Sequence, residues 1–133
     1  MTISKEEQPI LKAVIKTTYA PVLGKAMVIT FLTKLDNTRK ERYSGKTNWS
    51  EILHTYSGEK MCRETILKLQ FVKASLIKEL LVQYDIYNDM DARDLYWDEL
   101  SKYFDEYLQQ ITQIVYLKQF SKLAAIAKGD LAL

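Results

Sequence analysis

Several residue types that carry chemistry are scarce in this 133-residue chain, which has one cysteine, one histidine and four glycines. The lone cysteine, Cys62, cannot form an internal disulfide. The lone histidine, His54, has no second histidine or nearby cysteine with which to complete a metal site. So few glycines leave no glycine-rich loop to hold a phosphate group. The sequence therefore predicts no disulfide, no metal centre and no cofactor.

The residues needed for catalysis are also missing as a set. Nucleophilic and acid–base catalysis need a nucleophile beside a base, or two carboxylates in an apolar setting, and neither pattern occurs. Cys62 and His54 are separated by a predicted helix break. The stretch Ser44-Gly45-Lys46-Thr47 has the ending of a phosphate-binding loop, but Lys40 stands where that motif needs its first glycine. We therefore expect a non-enzymatic protein with no catalytic residues and no small-molecule substrate.

No apolar run approaches the ~20 residues needed to span a bilayer. The longest stretches without charge, Ala26 to Thr33 and Tyr107 to Leu117, are much shorter. Glu6 and Glu7 stand where a secretory signal carries only positive charge. Composition is ordinary for a globular protein, with 47% apolar and 27% charged residues. We expect one cytoplasmic domain over residues 1–133, without membrane contact.

The strongest pattern in the chain is a helical stripe from Leu95 to Ala127. Apolar residues recur there at steps of three or four, and the opposite side is polar. This spacing predicts one long amphipathic helix that ends at Lys128-Gly129, with Asp89 as a plausible N-cap. The stripe contains Trp97, Leu100, Phe104, Leu108, Ile111 and Val115, widened by Tyr103, Tyr107 and Ile114.

The N-terminal third predicts two helices and a loop. Ser4 and Glu7 have the spacing of a capping box, which predicts a helix over residues 6–19. Pro21 then either kinks this helix or begins a second one. Residues 22–35 are ambiguous. A turn at Gly24 followed by a buried strand is the alternative, and helix is favoured because no second strand is available for pairing. Asp36 to Asn48 is polar and is interpreted as the main exposed loop.

The middle of the chain predicts a short helix and a long one. Trp49 to Tyr56 forms the short helix, and Ser57-Gly58 stops it. Glu59 to Tyr84 is the long helix, with Leu67 and Phe71 among the residues that broaden its apolar stripe. The expected fold is all-α: a four- to five-helix bundle with a long C-terminal helix, in which the two long helices form an antiparallel central pair.

The net charge of +2 conceals an asymmetry along the chain. Residues 1–75 hold thirteen lysines and arginines against seven acids, for +6, whereas residues 76–133 hold six against ten, for −4. Lys34 to Lys46 is the basic segment and Asp85 to Glu106 the acidic segment. Such an electrostatic dipole favours a complementary surface on a partner. Candidate partner-binding residues are Arg39, Lys40, Arg42 and Lys46 in the basic segment, and Asp91, Asp94 and Asp98 in the acidic segment.

Aromatic residues add to the case for a binding protein. Nine tyrosines and two tryptophans combine large apolar bodies with polar tips, a property used at interfaces. Tyr87, Tyr96 and Tyr116 lie off the main stripes and are predicted to be exposed; the alternative is that most tyrosines line the edges of the core. We expect a small regulatory or inhibitory protein that binds another protein, or a second copy of itself as a homodimer.

Two alternative functions stay open. Trp49 to Tyr56, Ser57-Gly58 and the helix after them resemble a helix-turn-helix in outline, which predicts DNA or RNA binding with Lys60, Arg63 and Arg42 as contacts. The predicted bundle is also similar to helical sensory domains of bacterial stress regulators. That second resemblance is one of architecture and carries no motif.

Overall fold

A computed structural model describes residues 3–42 and 56–133, without the side chains of 39–42 and 56–59. The described residues contain no β-strand, which confirms the all-α prediction and the helical reading of residues 22–35. None of the described helices combines the length and apolar character that a bilayer span requires. The α-helices are α1 (Glu7–Val14), α2 (Ala20–Arg42), α3 (Tyr56–Gln83), α4 (Met90–Tyr116) and α5 (Phe120–Lys128).

The first two helices are joined by a π-helical turn, Ile15–Tyr19. One of the two hydrogen bonds of the predicted capping box is present, since the backbone N–H of Glu7 donates to the Ser4 hydroxyl oxygen at 3.2 Å. In a regular α-helix the Pro21 ring would clash with the carbonyl group of Thr17, and the wider π turn relieves that clash. The backbone stays helical from α1 through the π turn into α2, so Pro21 lies in the first turn of α2 with no break in the helix before it.

The strand alternative, with its turn at Gly24, is excluded, because Gly24 is buried inside α2. A Cβ atom built on it would stand 3.1 Å from Cε2 of Tyr107 in α4. Glycine costs a helix interior about 0.5–1 kcal/mol relative to alanine. Here it lets the tyrosine ring of α4 lie directly against the backbone of α2.

The predicted loop from Asp36 to Asn48 is wrong for its first part, because α2 continues to Arg42. Leu35 and Thr38 are buried and extend the inner face of the helix. The Thr38 hydroxyl donates to the Lys34 carbonyl oxygen at 2.9 Å, so the polar residue is satisfied within the helix. The rest of the predicted loop, residues 43–48, lies outside the described residues.

The predicted helix stop at Ser57-Gly58 is also wrong, because α3 begins at Tyr56 and includes both residues. Met61 and Cys62 are fully buried in the next turn and hold this end of α3 in the core. Such packing outweighs the roughly 1 kcal/mol by which one glycine disfavours a helix. The predicted short helix from Trp49 lies outside the described residues, apart from Tyr56.

The prediction of a single long C-terminal helix is wrong in one respect, because the helix is interrupted between α4 and α5. Lys118 adopts a left-handed backbone conformation with φ of 56°. The N–H of Gln119 then donates to the Ile114 carbonyl oxygen at 3.0 Å, which closes a Schellman cap. The predicted end at Lys128-Gly129 is confirmed, with Gly129 at φ of 88°.

Helices α2, α3 and α4 pack against one another, and α5 covers α2 and α4. The predicted antiparallel pairing is confirmed for α3 and α4. Lys73 in the middle of α3 contacts Asp105 in the middle of α4 at 3.1 Å, while Arg63 near the start of α3 shares a pocket with Tyr116 at the end of α4. The core includes Met27, Phe31, Met61, Leu69, Ile77, Leu81, Leu100, Phe104, Ile111, Leu123 and Ile126.

Candidate interaction surfaces

The acidic candidates lie at the start of α4. Asp89 caps this helix as predicted, and its carboxylate accepts the N–H of Ala92 at 3.2 Å. Asp91 is half-buried, while Asp94 and Asp98 are exposed. In the described part of the chain, no group of three histidine, cysteine or acidic residues is placed to hold a metal ion. Asp89 and Asp91 lie at the start of α4, where negative charge favours the helix, and Asp94 and Asp98 present negative charge to solvent.

The first turns of α4 meet the N-terminal segment. Asp91 and Asp94 line a shallow pocket of about 190 Å³ together with Ile3, Gln8 and Leu95. The Asp94 carboxylate also lies 3.7 Å from Nε of its neighbour Arg93. Asp91 and Asp94 thus have neighbours within the chain. Asp98 is exposed and does not line this pocket.

The basic candidates are described only in part. Lys46 and the side chains of Arg39, Lys40 and Arg42 lie outside the described residues. Lys60 and Arg63, proposed as nucleic-acid contacts, are exposed on α3. The turn that the helix-turn-helix outline needs before them is absent, because Ser57-Gly58 is helical.

The surface that sequence reasoning missed is the outward side of α3. Leu67 and Phe71 were predicted to broaden the buried stripe, and this is wrong: they are 60% and 87% exposed. Both lie about 160° around the helix from buried Leu69, at roughly 100° per residue. That angle is the signal in the sequence that identifies them as outward-facing. We define the α3 outer face as Lys60, Glu64, Leu67, Phe71, Ala74, Ser75, Lys78 and Val82.

Ionic and aromatic contacts border the α3 outer face. Lys78 places its Nζ 5.2 Å from the centre of the Tyr87 ring, which Arg93 also approaches at 5.4 Å. Such cation–π contacts hold the two cations over the connection between α3 and α4. Lys73, on the side of α3 that meets α4, is paired with Asp105. The centre of the face is therefore apolar, and charged residues stand at its ends and sides.

A pocket of about 200 Å³ opens between the start of α3 and the end of α4. Ile66 and Val115 supply apolar lining, and Arg63 and Lys118 supply positive charge. The carbonyl groups of Gln113, Ile114 and Val115 at the α4 C-terminus are bonded within the cap that ends the helix. The pocket therefore combines an apolar wall with two cations.

The tyrosines divide between core and surface. Tyr116 is 80% exposed, as predicted, and Tyr87 is half-buried. Tyr96 was predicted to be exposed and is buried, with its ring edge-on to Tyr19 at 5.4 Å between ring centres. Burial, followed by the nearby Tyr19, raises the pKa of the Tyr96 hydroxyl. Tyr96 thus belongs to an aromatic cluster that joins α4 to the π turn.

Cys62 is fully buried, which confirms its predicted place in the core, while His54 lies outside the described residues. The described side chains offer an apolar surface with charged edges, an arrangement suited to binding. No family model, curated protein or solved structure significantly matches this chain.

Proposed function

We propose that this protein is a small, non-enzymatic, cytoplasmic regulator or inhibitor that acts by binding another protein through the α3 outer face. The observation that carries the proposal is the exposure of Phe71, 87%, beside that of Leu67, 60%. Both side chains are on the middle of a long helix whose other side is in the core. Aromatic side chains that are desolvated at the centre of an interface supply much of its binding energy.

The charges around these two residues fit a rim. Lys60 and Lys78 stand on the same face toward its two ends, and Lys68 is exposed beside it. Long lysine stems can cover apolar surface while their ammonium groups stay in water. The face also carries Glu64, so a partner with an apolar patch bordered by charges of both signs would complement it, and these charges would act mainly on the association rate.

Nucleic-acid binding is the second candidate. It is favoured by one observation: Lys60, Arg63 and Lys68 are all exposed within the first half of α3. Phosphate contacts by such residues would make binding strongly dependent on salt. An exposed phenylalanine at the centre of the face has no role in reading a duplex backbone, so the protein-binding proposal is preferred.

Two measurements test the proposal. Wild-type protein and the Phe71→Glu variant are each used to capture proteins from a lysate of the cells that make the chain, with Gln109→Glu on exposed α4 as the matched control. We expect one or more proteins to be retained by the wild type and the control and lost by Phe71→Glu. Light scattering with and without duplex DNA, at low and high salt, tests the alternative.

Retention that is identical for all three proteins would contradict a role for Phe71. A salt-sensitive complex with duplex DNA that Phe71→Glu leaves intact would replace the proposal with the nucleic-acid alternative. Far-UV circular dichroism of each variant verifies that the substitution has not unfolded the bundle.

A further inference from the structure

We propose that the partner of the α3 outer face is a second copy of this chain, bound in antiparallel orientation about a two-fold axis that passes beside Phe71. This inference rests on the proposed function and names the occupant of the same surface. It is carried by one acidic and one basic residue at equal distances on either side of Phe71 along α3, and by the apolar and small residues between them.

The charges are the first part of the argument. Glu64 and Lys78 each lie seven residues from Phe71, on opposite sides of it along the helix. A two-fold axis at Phe71 therefore places Glu64 of one protomer opposite Lys78 of its partner, and the same pair forms a second time by symmetry. Both copies of this pair join opposite charges.

A parallel arrangement of the two α3 helices would not bring opposite charges together. It would set each residue of α3 beside its own copy, so that Lys60, Glu64 and Lys78 would each face a like charge. Like charges brought together at an interface cost free energy and exclude the wrong orientation. The pattern thus selects the antiparallel orientation.

The apolar side chains are the second part. At the axis the two Phe71 rings meet each other, and both are 87% exposed in the monomer. Leu67 lies four residues before Phe71 and Ser75 four residues after it, so Leu67 of one protomer lies at the level of Ser75 of the other. Ala74 is the neighbour of Ser75, and both are small and exposed. They leave room for the leucine side chain, and helices with small residues at the contact approach closely.

The size of the face sets the expected strength. Stable interfaces bury roughly 800 Å² on each partner, and one face of a single helix supplies less than that. We therefore infer a weak dimer whose population rises with protein concentration in the micromolar range or above.

A charge-swap cycle tests both partner and register. Sedimentation velocity over a concentration series is measured for the full wild-type chain, Glu64→Lys, Lys78→Glu and the double variant that exchanges the two charges. Each single reversal should raise the dimer dissociation constant by about fivefold or more, and the exchange should return it to within about threefold of wild type. The cycle cancels effects that each substitution has within its own protomer, including the contact of Lys78 with Tyr87.

Two further variants complete the design. Phe71→Glu should raise the dissociation constant by at least about tenfold, because it places two carboxylates together at the axis. Lys122→Glu, an exposed reversal on α5, is the matched control and should leave the dissociation constant unchanged. Circular dichroism of each variant separates lost association from lost folding.

A wild-type chain that stays monomeric at every concentration would overturn the inference. So would a charge exchange that fails to restore association. If the chain is monomeric but a different protein is captured in a Phe71-dependent way, the proposed function stands and only the identity of the partner is wrong. If neither association nor Phe71-dependent capture occurs, both are wrong.

Discussion

Tyr107 shows how one side chain ties the bundle together. Its ring lies against the backbone at Gly24 of α2 and stacks on Tyr103 at 6.4 Å between ring centres. Only 7% of Tyr107 is exposed. Burial raises the pKa of its hydroxyl above the usual 10.0, and the nearby Tyr103 and Glu106 raise it further. The bundle therefore favours the neutral form of this residue.

We predict that stability falls in alkaline solution and that Tyr107→Phe reduces the fall. Below about pH 10 the residue is neutral in both folded and unfolded chains and has no effect on the pH dependence. Above that pH the unfolded chain loses its proton first, because the folded pKa is raised, so unfolding becomes more favourable as pH rises. Urea unfolding between about pH 8 and 11 measures this.

Tyr116→Phe is the matched control, since Tyr116 is 80% exposed. It should leave the alkaline decline as it is in the wild type. Tyr96 and Tyr103 also have pKa values raised first by burial, so the decline in Tyr107→Phe should be smaller rather than absent. Parallel curves for Tyr107→Phe and wild type would contradict the assignment.

The C-terminal ends of three described helices, α3, α4 and α5, have the same type of cap. Asp85, Lys118 and Gly129 each follow a helix in the left-handed backbone region, at φ of 57°, 56° and 88°. After each, the next N–H reaches back to a carbonyl oxygen in the last turn, in the pattern of a Schellman cap. Glycine adopts this conformation without cost, and the two residues with a Cβ atom do not.

We predict that Lys118→Gly is more stable than Lys118→Ala by about 1 kcal/mol. Both variants lose the lysine side chain, so the difference between them reports the strain of a Cβ atom in the left-handed region. Gly129→Ala should be destabilised by a similar amount. Urea unfolding of the four proteins measures the free energies, and an alanine variant at least as stable as the glycine variant would contradict the explanation.

Periodicity predicted which stretches are helical, and it predicted the ends of those helices less well. The break at Lys118 was missed because neither glycine nor proline marks it. Residues 36–42 were interpreted as a loop from their polarity, although Thr38 continues the inner face after Leu35. Ser57-Gly58 was predicted to end a helix, but the burial of the nearby Met61 and Cys62 favours helix through this pair. In each case contacts between helices outweighed a local preference.

Part of the α3 outer face was predictable from helix geometry. Helix geometry alone separates Leu67 and Phe71 from the stripe that includes Leu69, so their exposure was available from the sequence. The burial of Tyr96 was not, because it depends on Tyr19, which reaches it from a distant part of the chain.

At the scale of the whole molecule, the buried side chains of every major helix form one cluster. It extends from Ile15 in the π turn to Ile126 in α5, and the three long helices all contribute to it. One continuous core predicts that the described helices unfold together as a single cooperative unit.

Two phenylalanines provide the matched test of that prediction. Phe104 is 0% exposed at the centre of α4, and Phe71 is 87% exposed on α3. We expect Phe104→Ala to lower the free energy of unfolding by about 3–5 kcal/mol and Phe71→Ala, measured where the chain is monomeric, to change it by less than about 0.5 kcal/mol. Circular dichroism and tryptophan fluorescence should give the same unfolding midpoint for each protein, because Trp97 packs against the core that holds the helices. Separate midpoints for the two signals would show that the chain contains more than one cooperative unit, and equal losses for the two variants would show that Phe71 is not free on the surface of the monomer.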